Sequence, residues 1–479
     1  MQHYDVAVLG AGSGLLIMEG ARDKGLTCAV IEEGAFGGTC LNRGCIPSKM
    51  LVYPADLIRE AERGQRVGLT YGAPEVDWAR VSARMRRQID VNQALEEEVA
   101  QTPGVTVFKG RGAFHDARTL DIRLNDGGSA RITADKVVIA TGARTRIPAL
   151  PGLEESGYLT SESFFGDKFP DKPYESLVII GGGSTALEIA HIFSAFGTRV
   201  TLAVRSETML RGLDGEIAPF VKKQLEAVGV DVRYFAQAQQ VRKTAGGKTV
   251  TFRDARTGEV YDIHAQELFM APGIVPNTEG LRLDRAGVHT DPAGHVQSDE
   301  RLATNVPGIY AIGDVNGKFP LRHKANYEAE VLNNILFGDN TRTAHYDSVP
   351  QAVFTHPQVG SVGLGEEAAR GLYGERVRVF RGSYSDIISG IAMGYSKRRE
   401  DDGFAKIITD DQERILGAHV VGPQAAMVVQ PYAYLMNAGG PQQAATPGTW
   451  RPIRDAMTIH PTFSELAAWA LIYPQPPKA

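Results

Sequence analysis

Residues 4–32, YDVAVLGAGSGLLIMEGARDKGLTCAVIE, decide the reading of this chain. Tyr4 to Gly10 is a short apolar run of strand type. A glycine turn, Gly10-Ala-Gly12-Ser-Gly14, follows; a helical stretch runs to about Lys24, and TCAVIE is a second apolar run. Strand, turn, helix and strand within thirty residues make a βαβ unit. Glycine at the first two key positions permits the tight turn and lets backbone approach a pyrophosphate, and the helix N-terminus supplies amide donors and positive dipole to that anion. Glu32 stands 22 residues after Gly10, where an acid ending the second strand can bind ribose hydroxyls. Leu15 occupies the place of the usual third glycine, the one that allows close helix–strand packing.

A second unit of this kind begins at Ser176: strand LVII, turn Gly181-Gly-Gly183-Ser-Thr-Ala186, helix LEIAHIFSAFG and strand RVTLAV. Two such units imply two nucleotides. Between them residues 77–101 read as one long charged amphipathic helix, followed by a strand-rich stretch ending in VVIATGA. After the second unit LFMAPG and IYAIGDV read as a return to the first domain. From about residue 346 strands are expected near 352–364 and 404–421, then helices, with a proline- and glycine-rich stretch over 439–452 before a helical segment around Ile459.

Composition narrows the class. With 479 residues the chain is long enough for about three domains. Hydrophobic residues at 43% and charged residues at 22% are ordinary globular usage, which excludes a mostly disordered chain. The net charge of −5 comes without long runs of either sign, so neither nucleic acid nor anionic lipid is expected as a partner. No apolar run of spanning length and no signal-peptide pattern is present, and a cytoplasmic protein is expected. The 3 cysteines, Cys28, Cys40 and Cys45, all lie near the start, unlike a secreted disulfide scaffold. A bridge between Cys40 and Cys45 would close too small a loop to stabilise much, so a chemical role is the question. Cys28 lies inside the strand TCAVIE and reads as core.

The segment GGTCLNRGCIPSK resembles the FAD-dependent pyridine nucleotide–disulfide oxidoreductases of class I, which include glutathione, dihydrolipoamide, mycothiol-disulfide and mercuric reductases; the resemblance runs essentially end to end. It implies an α/β protein with two Rossmann-like FAD/NAD(P)-binding domains and a C-terminal α+β dimerisation domain. The expected divisions are FAD-binding over 1–150 and 276–345, NADPH-binding over 151–275, and interface over 346–479. By resemblance Cys40 and Cys45 form a disulfide that flavin reduces, Cys45 nearer the flavin and Cys40 attacking the substrate disulfide. Cys45 opens the helical run IPSKMLVYPADLIREAERG, whose dipole favours a thiolate, and Lys49 one turn later faces flavin N5.

The resemblance implies further contacts. Gly10, Gly12, Gly14, Glu32, Gly38, Thr39 and Gly112 belong to the FAD site. The segment IATGAR brings backbone near Thr141 and Gly142 to FAD, Asp314 in TNVPGIYAIGDV binds the ribityl chain, and Leu321 and His323 in LRHKANYEAE border the isoalloxazine. Glu188 pairs with Lys49. Gly273 approaches the nicotinamide in APGIVPN, where Ile274 replaces the family's arginine. In IHPTFSE, His460 and Glu465 form a proton-transfer dyad that serves the other subunit of a homodimer: histidine titrates near neutrality and can protonate a departing thiolate. His356, in FTHPQVG, is expected to be structural, and no metal is expected.

The second turn, at Gly181 and Gly183, has Ala186 where NAD enzymes carry the third glycine, and its following strand is succeeded by Arg205 and, six residues on, Arg211. Guanidinium binds a 2′-phosphate bidentately, whereas an acid would repel it, so NADPH rather than NADH is expected. No cysteine follows Cys45, unlike mercuric and high-molecular-weight thioredoxin reductases, and Gly20 stands where glutathione reductases carry a substrate-binding arginine. The texture is most similar to mycothiol-disulfide reductases, from GAFGGTCLNRGCIPSKMLVY, Arg322 before His323 and VVQPYAYLMNAG, although the region 439–454 looks longer than theirs. The small-molecule disulfide expected is therefore of the mycothiol type. Dihydrolipoyl dehydrogenase is the alternative, and a non-catalytic flavin-binding subunit is the alternative of another class.

Overall fold

Val6, Ala7, Val8 and Leu9 are buried on both faces of their strand, as a strand inside a parallel sheet must be. The computed structural model, which describes residues 1–72, 74–438, 451–454, 456–462 and 464, divides into two compact units. The first comprises Met1–Pro47, Arg86–Arg144 and Ile274–Asp347. Its parallel layer runs in the order Ile309–Ala311, Ser129–Ile139, Gln2–Leu9, Cys28–Glu32, Val105–Phe114. Thr119–Leu124 pairs antiparallel with both long strands, so each of these gives one end to the parallel layer and the other to a meander. Leu9 lies in register with Ile31 and with Ile139, and Ile139 with Ala311. Four strand ends therefore share one carboxyl edge, and Gly10, Glu32, Thr141 and Asp314 all follow it closely. This is where open α/β sheets bind ligands.

The second unit comprises Ser48–Met85, Thr145–Gly273 and Ser348–Ala479, so the stretch after Pro47 groups apart from the first nucleotide-type unit. It holds a parallel sheet in the order Glu267–Met270, Ser176–Ile180, Arg199–Ala203, Asp231–Arg233. A three-stranded antiparallel sheet follows, Ala236–Thr244, Gly247–Asp254, Val260–Ala265. Another antiparallel sheet orders Gln351–Val353, Gln358–Gly363, Ile415–Gly422, Phe404–Thr409, Arg378–Ser383.

Three expectations need correction. The long helix over 77–101 is two helices, Trp78–Asp90 and Ala94–Ala100, parted by a 3₁₀ turn at Val91–Gln93. The edge strand Arg378–Ser383 and the helix Glu366–Tyr373 are additional elements. Around Ile459 the chain is not helical: Gln430 donates to Met457 O and accepts from Ile459 N–H, both at 2.9 Å, and the cis His460–Pro461 bond follows. A proline disfavours helical geometry in the residue before it. Among the described residues no helix is long and apolar enough to cross a membrane.

Candidate active site

The first turn is built by close approach. Gly10 has φ +105°, and a Cβ there would stand 2.4 Å from the Ala140 carbonyl oxygen. A Cβ on Gly14 would stand 2.6 Å from Val8 Cγ1, so Gly14 provides the helix–strand closeness that Leu15, one position later, cannot. Gly38, φ +65°, faces Gly12: a Cβ on it would be 2.9 Å from Gly12 Cα. Thr39 follows Gly38 in the short helix Gly38–Arg43. The Glu32 carboxylate is held beside this turn, one oxygen accepting Ala11 N–H at 2.8 Å and the other Gly34 N–H at 2.7 Å. A bare backbone cradle at a helix start, with an acid at the strand end, fits the pyrophosphate and ribose of a dinucleotide.

Thr141 and Gly142 are latched to Asn277: Thr141 Oγ1 donates to Asn277 O at 2.9 Å, Asn277 Nδ2 to Thr141 O at 2.9 Å, and Asn277 N–H to Gly142 O at 2.9 Å. Gly112 faces inward, where a Cβ would meet Leu9 Cδ2 at 2.6 Å. Asp314 sits in the turn Gly313–Asn316, and burial pushes its carboxyl up, Lys324 opposing. Leu321 caps the helix Arg322–Phe337, and His323 is buried on it.

The support beneath Asp314 escaped the sequence reading. Lys324 and Glu328 are wholly buried and paired at 3.2 Å. Lys324 Nζ also donates to Gly313 O and Asn316 Oδ1, each at 3.0 Å. Glu328 accepts Gly313 N–H at 2.7 Å, Asn316 Nδ2 at 2.8 Å and the Tyr346 hydroxyl at 2.6 Å. Such full satisfaction offsets the desolvation of both charges. Their spacing of four on a helix was the available signal.

Cys40 is buried on Gly38–Arg43, and Cys45 begins the helix Cys45–Arg63. Their sulfurs lie within 4.8 Å of one another. Pro47 in the helix's first turn loses no intrahelical hydrogen bond there. The helix start favours a thiolate at Cys45. Cys28 is the contrast, since burial pushes its thiol up to about 12 and makes it inert.

Four residues along the same helix as Cys45, Lys49 Nζ pairs with Glu188 Oε2 at 2.7 Å and lies 4.3 Å from the Phe354 ring centroid. The other Glu188 oxygen accepts Phe354 N–H at 3.1 Å. Glu188 comes from the helix Ser184–Ala195, which opens at the second glycine turn. There a Cβ on Gly181 would stand 2.2 Å from Ala271 O, while Gly183 and Gly273 (φ +119°) face open space. Ala186 is wholly buried in that helix. Arg205 and Arg211 are exposed and make no polar contact among the described residues. They flank a loop bound to the glycine turn through Leu210 N–H to Gly182 O at 2.8 Å. Free guanidiniums beside an open glycine turn fit an anionic dinucleotide.

His460 is half-buried after the segment held by Gln430. Glu465 lies outside the described residues, as do 439–450, so the dyad has no geometry here. His356 packs under Asp56, its Nδ1 3.7 Å from the carboxylate, with the His191 ring 6.0 Å away. Burial holds the His356 imidazole below its usual range. A helix-packing role fits it.

Comparison with known proteins bears on this constellation. The model of the pyridine nucleotide-disulphide oxidoreductases matches residues 4–329, and that of their dimerisation domain matches 349–471. The chain belongs to this family. It is an FAD-dependent pyridine nucleotide–disulfide oxidoreductase of class I, an enzyme with FAD- and nicotinamide-binding parts and a dimerisation domain. Mycothione reductase of Mycobacterium tuberculosis (strain H37Rv) is 34% identical, covering 98% of this chain and 99% of the relative. Dihydrolipoyl dehydrogenase of Mycobacterium bovis is 32% identical over 89% of this chain and 90% of the relative. Among solved structures, a Cu(II) complex of the HOCl-induced flavoprotein disulfide reductase RclA from Escherichia coli matches with TM-score 0.80 at 25% identity, covering 99% of this chain and 100% of that one.

Proposed function

We propose that this enzyme, as a cytoplasmic homodimer, carries electrons from NADPH through FAD and the Cys40–Cys45 pair to a low-molecular-weight disulfide of the mycothiol type. The carrying observation is the pair Arg205 and Arg211, exposed and uncompensated on a loop bonded to the second glycine turn. Two guanidiniums there suit a 2′-phosphate. For the substrate, support comes from the end-to-end likeness to mycothione reductase. Gly20 adds to it, standing where glutathione reductases carry a substrate-binding arginine; a Cβ there would require the Asn333 side-chain amide, 2.5 Å away, to shift.

Bound FAD supplies hydride acceptance from the nicotinamide and two-electron delivery to a disulfide. Cleaving the Cys40–Cys45 bond yields two thiols. The Cys40 thiolate attacks one sulfur of the substrate disulfide, forms a mixed disulfide and expels one thiolate, which His460 of a neighbouring subunit protonates with Glu465 orienting its ring. The Cys45 thiolate then attacks Cys40 Sγ, releasing the second thiol and restoring the Cys40–Cys45 bond. Lys49 and Glu188 hold one another's charge at the start of the same helix as Cys45.

The test is NADPH-driven turnover of mycothiol disulfide, glutathione disulfide and lipoamide in parallel, in wild type and Cys45→Ser. Cu(II) joins as a further acceptor, because the RclA structure holds it. Mycothiol disulfide should be the best substrate and C45S inactive on it. Faster lipoamide reduction with NADH would make the enzyme a dihydrolipoyl dehydrogenase, and full disulfide turnover by C45S would refute the cysteine mechanism.

A further inference from the structure

The outer face of the antiparallel meander in the first unit carries a groove of about 750 Å³ lined by Arg111, Arg123, Arg131 and Arg282. Because Gly112 faces Leu9 and Ile31, strand alternation turns Arg111 and Ala113 to the opposite side. The register sets Arg111 directly against Arg123, Ala113 against Asp121, Asp121 against Arg131, and Arg123 against Ser129. Four guanidiniums thus share one concave surface with a single carboxylate.

That carboxylate is already committed. Asp121 pairs with Arg131 at 2.5 Å and with Arg282 at 2.9 Å, with His115 Nδ1 3.5 Å away. Arg111 donates to the Glu279 carbonyl oxygen at 2.6 Å. Arg123 has no partner among the described residues, although its direct cross-strand neighbour carries the same charge. Like charges opposed on adjacent strands destabilise a sheet. In a chain of net charge −5 nothing general explains concentrating them here. None of these residues belongs to either glycine turn.

We propose that this groove is an anion site for a small molecule bearing a di- or triphosphate group, with Arg123 and Arg111 as its main ligands. Guanidinium forks match phosphate oxygens bidentately, and a concave basic surface concentrates the field on a multiply charged anion. Ala113 and Ala130 keep the floor low between the arginines.

The test uses the FAD-loaded dimer, with the Arg123 variants separating this groove from the second glycine turn. Calorimetry and thermal melting are read with inorganic pyrophosphate, ATP, orthophosphate and sulfate at matched ionic strength. Pyrophosphate should bind saturably and raise Tm. Arg123→Gln should weaken it at least tenfold and Arg123→Lys less, with disulfide turnover unchanged in both. Without ligand at low salt, R123Q should melt no lower than wild type, because the opposed pair is gone. Tighter ATP than pyrophosphate binding identifies a nucleotide, and equal binding identifies the phosphates alone. No saturable binding, equal binding by R123Q, or sulfate and orthophosphate binding as tightly as pyrophosphate would overturn the proposal.

Discussion

The glycine turns at Gly10 and Gly181 share a backbone and differ in charge. In each, a Cβ on the first glycine would strike a carbonyl oxygen beyond the neighbouring parallel strand, Ala140 O at 2.4 Å and Ala271 O at 2.2 Å. At the end of the following strand they part. Glu32 is locked into the first turn by the Ala11 and Gly34 amides, whereas Arg205 is exposed on a loop tied to the second. The backbone of both turns suits a dinucleotide, and under the proposed function the residue ending the next strand distinguishes the two: hydroxyls for an acid, a phosphate for a guanidinium.

The supports of the two sites differ as well, and this gives the largest expected effect. Glu328→Gln leaves Lys324 charged and wholly buried, which should cost about 3–5 kcal/mol in denaturant unfolding and lower FAD retention. Glu188→Gln, with Lys49 partly exposed and an oxygen still available to Phe354 N–H, should cost about 1 kcal/mol. Equal losses would remove the contrast.

Next come the turns themselves. Gly10→Ala should strip FAD, read as the flavin-to-protein absorbance ratio. Gly181→Ala should keep the protein yellow and lose nicotinamide-driven turnover about 100-fold, from strain of about 3 kcal/mol. Loss of both cofactors from either variant would break the two-site assignment. Smaller again, Arg205→Glu should lower NADPH kcat/KM about 30-fold, the loss of roughly 2 kcal/mol of charge-assisted bonding, with NADH changed little. Equal changes for the two nucleotides would sink the clamp.

The smallest effect is acid lability near the clamp. Asp214, just past the Arg205–Arg211 loop, is buried; amides of Glu366 and Glu216 and the Lys406 ammonium outweigh that burial and hold its carboxyl below the usual range. Glu366 is held low by Lys406 and Arg370. Both groups stabilise the fold above about pH 4, the unfolded carboxylate value, and this is lost as pH falls through their lower folded values. Asp214→Asn should flatten the fall of Tm below pH 4; an unchanged slope would contradict that.

Both βαβ units were legible because their signals are local: apolar runs of strand length, glycines within six residues, a charge at the strand end. Cys40, Cys45 and Lys49 were legible for the same reason, lying within ten residues on two successive helices. What the sequence hid is long-range. Residues near Ile459 look helical until Gln430, 29 positions away, takes their backbone hydrogen bonds. Arg378–Ser383 lacks the alternation of a half-buried strand because it sits at a sheet edge. Lys324 and Glu328 stand four apart on a helix, a spacing that any exposed ion pair shares, and only packing reveals their complete burial.

The most direct measurement is steady-state oxidation of NADPH and NADH by the FAD-loaded wild-type enzyme with a saturating disulfide acceptor. The charge contrast between the two turns predicts a kcat/KM for NADPH at least tenfold above that for NADH. A preference for NADH would contradict the reading of Arg205 and Arg211, and with it the distinction drawn between the two turns.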